Sequence, residues 1–237
     1  IETVTSEEIN VSFYQSSEQS KNQIIEELVI NSNGLVHSPY LPHLYVATEH
    51  QLKVFHQYSG ELIATLDIAP EASLLENLVI HPDGQLLLAQ ADVTTTNEDE
   101  TTSTVTHRYQ INLNDNSAVE ISDATISFDP LRFISISGRH FVITQALEIA
   151  DSNLQRLYWD QANAFSTIHI DQVNSSEAIY ALDFNDYSFK RFIAQVNDFG
   201  SRAITIEQTH QYRPELLGES DTIRDFIVDD NEQGIYA

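Results

Sequence analysis

The chain has 237 residues and a net charge of −25, from 11 Lys and Arg against 36 Asp and Glu, and it contains neither Cys nor Met. A disulfide framework, a zinc-thiolate site, an iron–sulfur cluster and a cysteine nucleophile are therefore excluded, and the acidity opposes nucleic acid and anionic membrane surfaces as partners. Hydrophobic residues make up 41%, enough to build a packed core and to exclude disorder as the main state.

Strand signals dominate from the N-terminus onward. Val, Ile, Thr, Tyr and Phe recur in short runs broken by Asn, Asp, Ser, Gly and Pro. Residues 22–28 and 70–78 have some helical character, but neither joins an apolar stripe to a good cap, so both read as strand or turn. Leu44-Tyr45-Val46-Ala47 is a first apolar run, and Leu52-Lys53-Val54-Phe55 alternates as a half-buried strand does. Leu62-Ile63-Ala64-Thr65-Leu66 follows the turn Tyr58-Ser59-Gly60. No run approaches the roughly 18 apolar residues of a membrane span.

The pattern then repeats. Very apolar second strands begin near Leu44, Leu86, Phe141, Ile179 and Ile235, at intervals of 42, 55, 38 and 56 residues. The interval of 55 is explained by a polar, acidic, Thr-rich insertion over residues 92–104, expected as a long hairpin loop, and the interval of 56 by a second insertion around 197–213. Four strands per forty-odd residues is the signature of a β-propeller blade. One four-stranded sheet cannot bury both faces alone, and blades packed face to face around an axis can.

The expected fold is thus all-β: a single propeller domain over residues 1–237, of four-stranded antiparallel blades at 34–70, 72–122, 128–170 and 173–217. Residues 222–237 supply two strands and residues 8–30 two outer strands of a fifth blade, shared by both termini and closing the ring. The chain begins at Ile1 and ends on Gly234-Ile235-Tyr236-Ala237, which reads as a strand cut short, so it is expected to be a processed chain or a piece of a larger one.

His81-Pro82-Asp83-Gly84, set between two strands, resembles the turn of YVTN-type and WD40-type propellers and of bacterial lactonase-like propellers. Leu44-Tyr45-Val46, Leu52-Lys53-Val54-Phe55 and Tyr58-Ser59-Gly60 are similar to their second strand, third strand and turn. The likeness is good over residues 34–90 and loose elsewhere; the Trp-Asp ending occurs once, at Trp159-Asp160, without a Gly-His partner. The chain therefore resembles a divergent member of these families. Lactonase- and phytase-like propellers hold calcium on axial carboxylates, and Asp67, Asp83, Asp129, Asp171 and Asp183, near strand ends, are the residues this resemblance offers for such a role.

Other candidate sites come from the residues themselves. Asp229, Asp230, Asn231 and Glu232, followed by Gly234, partly match a calcium loop, which needs six to eight oxygens on a tight turn. Asp183, Asn185 and Asp186 form a weaker version, as do Asn112, Asn114, Asp115 and Asn116; the competing reading is an Asx turn bonding its own backbone. Nine His are scattered without metal-ligand spacing, and His50 and His56 are expected to approach each other across a strand pair. No nucleophile elbow or phosphate-binding glycine loop occurs. Tyr158, Trp159 and Phe165, and Tyr40, Tyr45 and Tyr58, form two aromatic groups suited to anchoring a ligand.

These features point to a non-enzymatic binding or scaffolding module that takes a protein, peptide or carbohydrate ligand at one face of the ring. Calcium is the candidate cofactor, and a calcium-dependent hydrolase of lactonase or phytase type is the alternative. Only three residues are Lys (Lys21, Lys53 and Lys190). Few lysines and many carboxylates suit an extracytoplasmic, cation-rich setting, such as a periplasmic, cell-surface or secreted protein of a bacterial envelope or adhesion type.

Overall fold

The structure is a computed structural model that describes residues 7–17, 20–32, 34–70, 73–96, 101–127, 129–144, 146–159, 167–172, 178–183, 188–197, 204–212, 227–228 and 235–236. These residues form strands and turns. Among them no helix is long and apolar enough to cross a membrane. Where the sequence reading has one domain, the chain divides into two compact units, residues 1–122 and 123–237.

The first unit opens with a hairpin of β1 (Glu7–Ser17) and β2 (Ser20–Ser32), paired antiparallel. A four-stranded antiparallel sheet follows: β3 (Gly34–His37), β4 (His43–Thr48), β5 (Gln51–His56) and β6 (Leu62–Asp67), in chain order. The second sheet is β7 (Ser73–Ile80), β8 (Leu86–Thr96), β9 (Thr102–Asn112) and β10 (Ser117–Glu120), again in chain order. Of the two segments with helical character, residues 22–28 are strand within β2 and residues 73–78 are strand within β7. Each sheet is a simple meander, and the innermost strands β3 and β7 lie against each other.

Burial grades across each sheet. The second strand β4 is almost wholly buried, which is why it reads as a continuous apolar run rather than an alternation. The outer strand β10 is exposed throughout. The core between the two sheets is built from Tyr45, Leu52, Leu75, Leu87 and Ile111, with Ala47, Ala89 and Ala91 letting the sheets close up.

The second unit holds two more antiparallel meanders. The first is β11 (Pro130–Ile136), β12 (Arg139–Thr144), β13 (Ile149–Ala150) and β14 (Arg156–Tyr158). The next is β15 (Thr167–Gln172), β16 (Ala178–Asp183), β17 (Ser188–Val196) and β18 (Ile204–Tyr212). A short pair, β19 (Ile227–Val228) and β20 (Ile235–Tyr236), ends the chain. Again first strands neighbour first strands, β11 against β15 and β15 against β19. The Gln172 side chain bridges two of them, accepting the Ser135 N–H at 2.6 Å and donating to the Ser135 carbonyl at 2.7 Å. Ile134, Phe141, Ile143, Ile149, Ile179 and Phe192 form the core of this unit.

Every apolar second strand expected from the repeat is found: β4, β8, β12, β16 and β20. Four four-stranded antiparallel sheets in succession are consistent with propeller-like blades. Three expectations are corrected. Residues 92–96 and 102–104, expected in a long loop, are strand, because the β8–β9 ladder runs without a register shift from Leu86↔Asn112 to Thr96↔Thr102, carried by β-branched Thr and Val. Thr167–Gln172 does not end the third sheet but opens the fourth, since β13 and β14 are short and the third sheet is complete by Tyr158. And β18 occupies most of the place of the second expected insertion.

Candidate ligand-binding site

At one end of the first unit, four turns join into a continuous row. The β3–β4 loop is held by Ser38, whose Oγ accepts the N–H groups of Leu41 at 3.0 Å and Tyr40 at 3.3 Å. The β5–β6 turn attaches to it through Gln57 N–H donating to the Pro42 carbonyl at 2.8 Å. On its other side, Pro39 and Tyr40 rest on the β7–β8 turn, His81-Pro82-Asp83-Gly84. Gly84 has φ +70° there, and a Cβ would come within 3.1 Å of Tyr40 Cδ2 and 3.3 Å of Pro39 Cγ. A larger residue would be strained in this backbone and would push Pro39 and Tyr40 aside. Last, Leu113 N–H donates to the Gln85 carbonyl at 2.8 Å, tying in the β9–β10 turn.

The row exposes aromatic and apolar side chains. Tyr40 is 73% exposed and Tyr58 58%, with Leu41 beside them. His43 and His56 face each other across β4 and β5 in direct register. Burial, followed by repulsion from the His56 ring, holds the His43 imidazole below its usual pKa, so it favours the neutral form. Their rings meet Tyr45 and Tyr58 edge-on, at 6.2 and 5.8 Å between centroids.

Next to the aromatics lies an open concavity of about 410 Å³, lined by Asp83, Gln85, Gln110, Asn112, Asn114 and Ser117, with Leu86 and Val119 as its apolar part. Register explains the lining. Leu86, Asn112 and Ser117 stand opposite one another across β8, β9 and β10, and Gln110 stands opposite Val119. The volume suits a small ligand. Amides that both donate and accept, beside exposed rings, match the hydroxyls of a sugar or the backbone of a peptide.

Two of the candidate carboxylates, Asp83 and Asp115, are tied into their own turns, and Asp67 is bonded across a strand pair. Asp83 Oδ1 lies 2.7 Å from His81 Nδ1 and accepts the Gln85 N–H at 2.9 Å. Asp67 accepts from Gln51 Nε2 at 2.8 Å. In the β9–β10 turn, Asn112 Oδ1 accepts the Asn114 N–H, and Asp115 Oδ1 accepts both the hydroxyl and the N–H of Ser117. The Ser117 hydroxyl, then its N–H, hold the Asp115 carboxyl below its usual pKa. This is the Asx-turn alternative to a calcium loop. Asp129 precedes β11, while Asp171 and Asp183 lie in β15 and β16. Asn185, Asp186, Asp229, Asp230, Asn231 and Glu232 lie outside the described residues. Among the described residues no three of His, Asp and Glu gather as a metal group.

Two other expectations change. His56 faces His43 rather than His50, because His50 sits in the β4–β5 turn at the far end of β5, 3.8 Å from Asp67. Tyr45 is core, leaving Tyr40 and Tyr58 as the exposed pair. The Arg156 guanidinium lies over the Trp159 ring at 4.8 Å; Phe165 is outside the described residues.

Sequence reasoning missed Glu148, in the second unit. Its carboxylate is fully buried. It accepts the Ser127 N–H on both oxygens, at 3.1 and 3.0 Å, and Arg156 Nη1 at 3.1 Å. It pins a corner where Leu147 and Leu154 both take positive φ, 57° and 59°. No local motif marks this residue; its partners lie 21 residues before it and 8 after.

No protein-family model and no curated protein matches the chain. Among solved structures, the chain is similar to hydrazine synthase from Kuenenia stuttgartiensis, with a TM-score of 0.52 at 12% sequence identity. The match covers 86% of this chain and 54% of that one, so this chain spans about half the length of its structural neighbour. At that identity the likeness concerns the fold alone.

Proposed function

We propose that this chain is a non-enzymatic binding module of divergent YVTN/WD40-like propeller type, taking a peptide, protein or carbohydrate ligand at the turn-bearing end of its first unit. The observation that carries this reading is the joined row of turns, which presents Tyr40, Leu41 and Tyr58 beside the amide-lined concavity. Large exposed aromatics beside fixed polar groups are how ligand sites combine affinity with orientation. The described Asp83 and Asp115 support binding over hydrolysis, because each already satisfies a turn. Five blades are proposed for the ring, with β1–β2 and β19–β20 contributing to one shared blade; the neighbouring first strands β3–β7, β11–β15 and β15–β19 support the blade arrangement. The charge of −25 with three lysines supports an extracytoplasmic, envelope or adhesion setting.

The test is a screen of peptide and glycan libraries against the wild-type chain and the Tyr40→Ala/Tyr58→Ala double variant. A ligand whose affinity falls at least tenfold in the variant, with an unchanged melting temperature, supports the proposal. Calcium-dependent turnover of a lactone or phosphate ester would instead establish the hydrolase reading.

A further inference from the structure

The β8–β9 hairpin outgrows its sheet. β7 pairs with β8 only as far as Ser73↔Val93, and β10 pairs with β9 only from Asn112 to Tyr109. Beyond these points, among the described residues, the two strands pair only with each other, as far as Thr96↔Thr102. Cross-strand hydroxyl pairs stiffen this arm: Thr94 Oγ1 to Thr104 Oγ1 at 3.0 Å, and Thr95 Oγ1 to Ser103 Oγ at 2.8 Å.

The ladder alternation fixes where the backbone groups point. The Arg108 carbonyl accepts from Ile121 N–H, on the β10 side, so residue 108 faces outward. Along an antiparallel strand alternate residues share that direction. Thr102, Thr104 and Thr106 therefore turn their N–H and C=O groups away from β8, and among the described residues no strand pairs with them. Free edges of this kind are normally guarded by Lys, Pro or a bulge. Thr102-Ser103-Thr104-Val105-Thr106 has no Lys and no Pro, and its ladder to β8 has no register shift. Val105, opposite Val93, is 55% exposed.

We infer that the outer edge of β9 over Thr102–Thr106 is a strand-addition site, taking an extended polypeptide segment of a partner with β-branched residues at its centre and basic residues at its ends. Main-chain hydrogen bonds supply the affinity in this mode, and side chains along one face supply the selectivity. An added strand would continue along β9 where β10 leaves off, with one of its side chains beside Val105. Charge selects the occupant. The edge itself is neutral, its neighbours Asp92, Arg108 and the His107-paired Glu120 largely offset one another, and the whole chain carries −25, so that net charge attracts a basic segment and repels a second copy of this chain. This site lies at the opposite end of the strands from the turn row and does not depend on it.

The test uses the full chain and a capped peptide probe, Lys-Thr-Val-Thr-Val-Thr-Lys, read by residue-resolved amide hydrogen exchange at low salt. The inference expects exchange at Thr102, Thr104 and Thr106 to slow at least fivefold with the probe. A glutamate-ended probe, and one N-methylated on its three central amides, should give no slowing. Thr104→Pro removes one outward N–H without cutting the β8–β9 ladder. It should abolish the effect while Ser103 and Val105, which face β8, keep their protection. The methylated probe serves the same end on the unaltered protein should the proline variant fail to fold. No slowing with the lysine-ended probe overturns the inference. So does equal slowing by the methylated probe, or protection of these amides by self-association without any probe.

Discussion

Removing the Glu148 carboxylate should destabilise the second unit severely, and the structure allows the cost to be worked out. Glu148→Ala leaves the Ser127 N–H, which donates to both carboxylate oxygens, without its acceptor. It strips Thr144 Oγ1 of a partner at 3.4 Å and Arg156 Nη1 of one at 3.1 Å. Breaking a buried ion pair by deleting one partner costs roughly 3–5 kcal/mol, which for a chain of this size lowers the melting temperature by on the order of 6–20 °C. Arg156→Ala should cost less, because Arg156 is partly exposed while Glu148 retains its Ser127 and Thr144 donors. The paired replacement Glu148→Met/Arg156→Met should recover only part of the loss, since it restores apolar packing but leaves the Ser127 N–H without its acceptor. Thermal and urea unfolding of the three variants would check this. A loss below about 1 kcal/mol for Glu148→Ala would refute the idea that this carboxylate pins the corner.

Two further predictions concern the turn row. Gly84→Ala should lose about 1–2 kcal/mol from its left-handed backbone and displace Tyr40, which would stand 3.1 Å from the new Cβ; urea unfolding together with Tyr40 fluorescence would show both. The His43 imidazole is held below its usual pKa by burial and by His56. The unfolded chain therefore takes up this proton first, and stability falls as pH drops below the unfolded value of about 6.5. His43→Gln should flatten that part of the pH–stability curve, as measured by urea titrations between pH 7.5 and pH 5; an unchanged slope would contradict the assignment.

Much of the fold was legible because β-sheet side chains repeat with a short period. Strands buried on both faces, such as β4 and the first half of β8, appear as unbroken apolar runs, and these marked the blades. Boundaries were harder where composition misleads. Thr94, Thr95 and Thr96 look like a solvated loop, yet β-branched hydroxyl side chains hold a ladder even when fully exposed. The aromatic part of the site was half visible: Tyr40, Tyr45 and Tyr58 stood together in the sequence, but only register and burial separate Tyr45, turned into the core, from the other two. The concavity was not visible, because it arises from Leu86, Asn112 and Ser117 standing opposite one another on three strands. Glu148 was invisible for a related reason, since its partners are fixed by the tertiary fold rather than by spacing.

The central claim is that the first unit binds its ligand at the turn row. Backbone amide shifts recorded while titrating the best peptide or glycan from the library screen address it most directly. The account expects the largest changes at Tyr40, Leu41, Tyr58, Gln85 and Asn114. Changes that peak instead on the sheet from Pro130 to Tyr158, leaving the turn row unmoved, would contradict it.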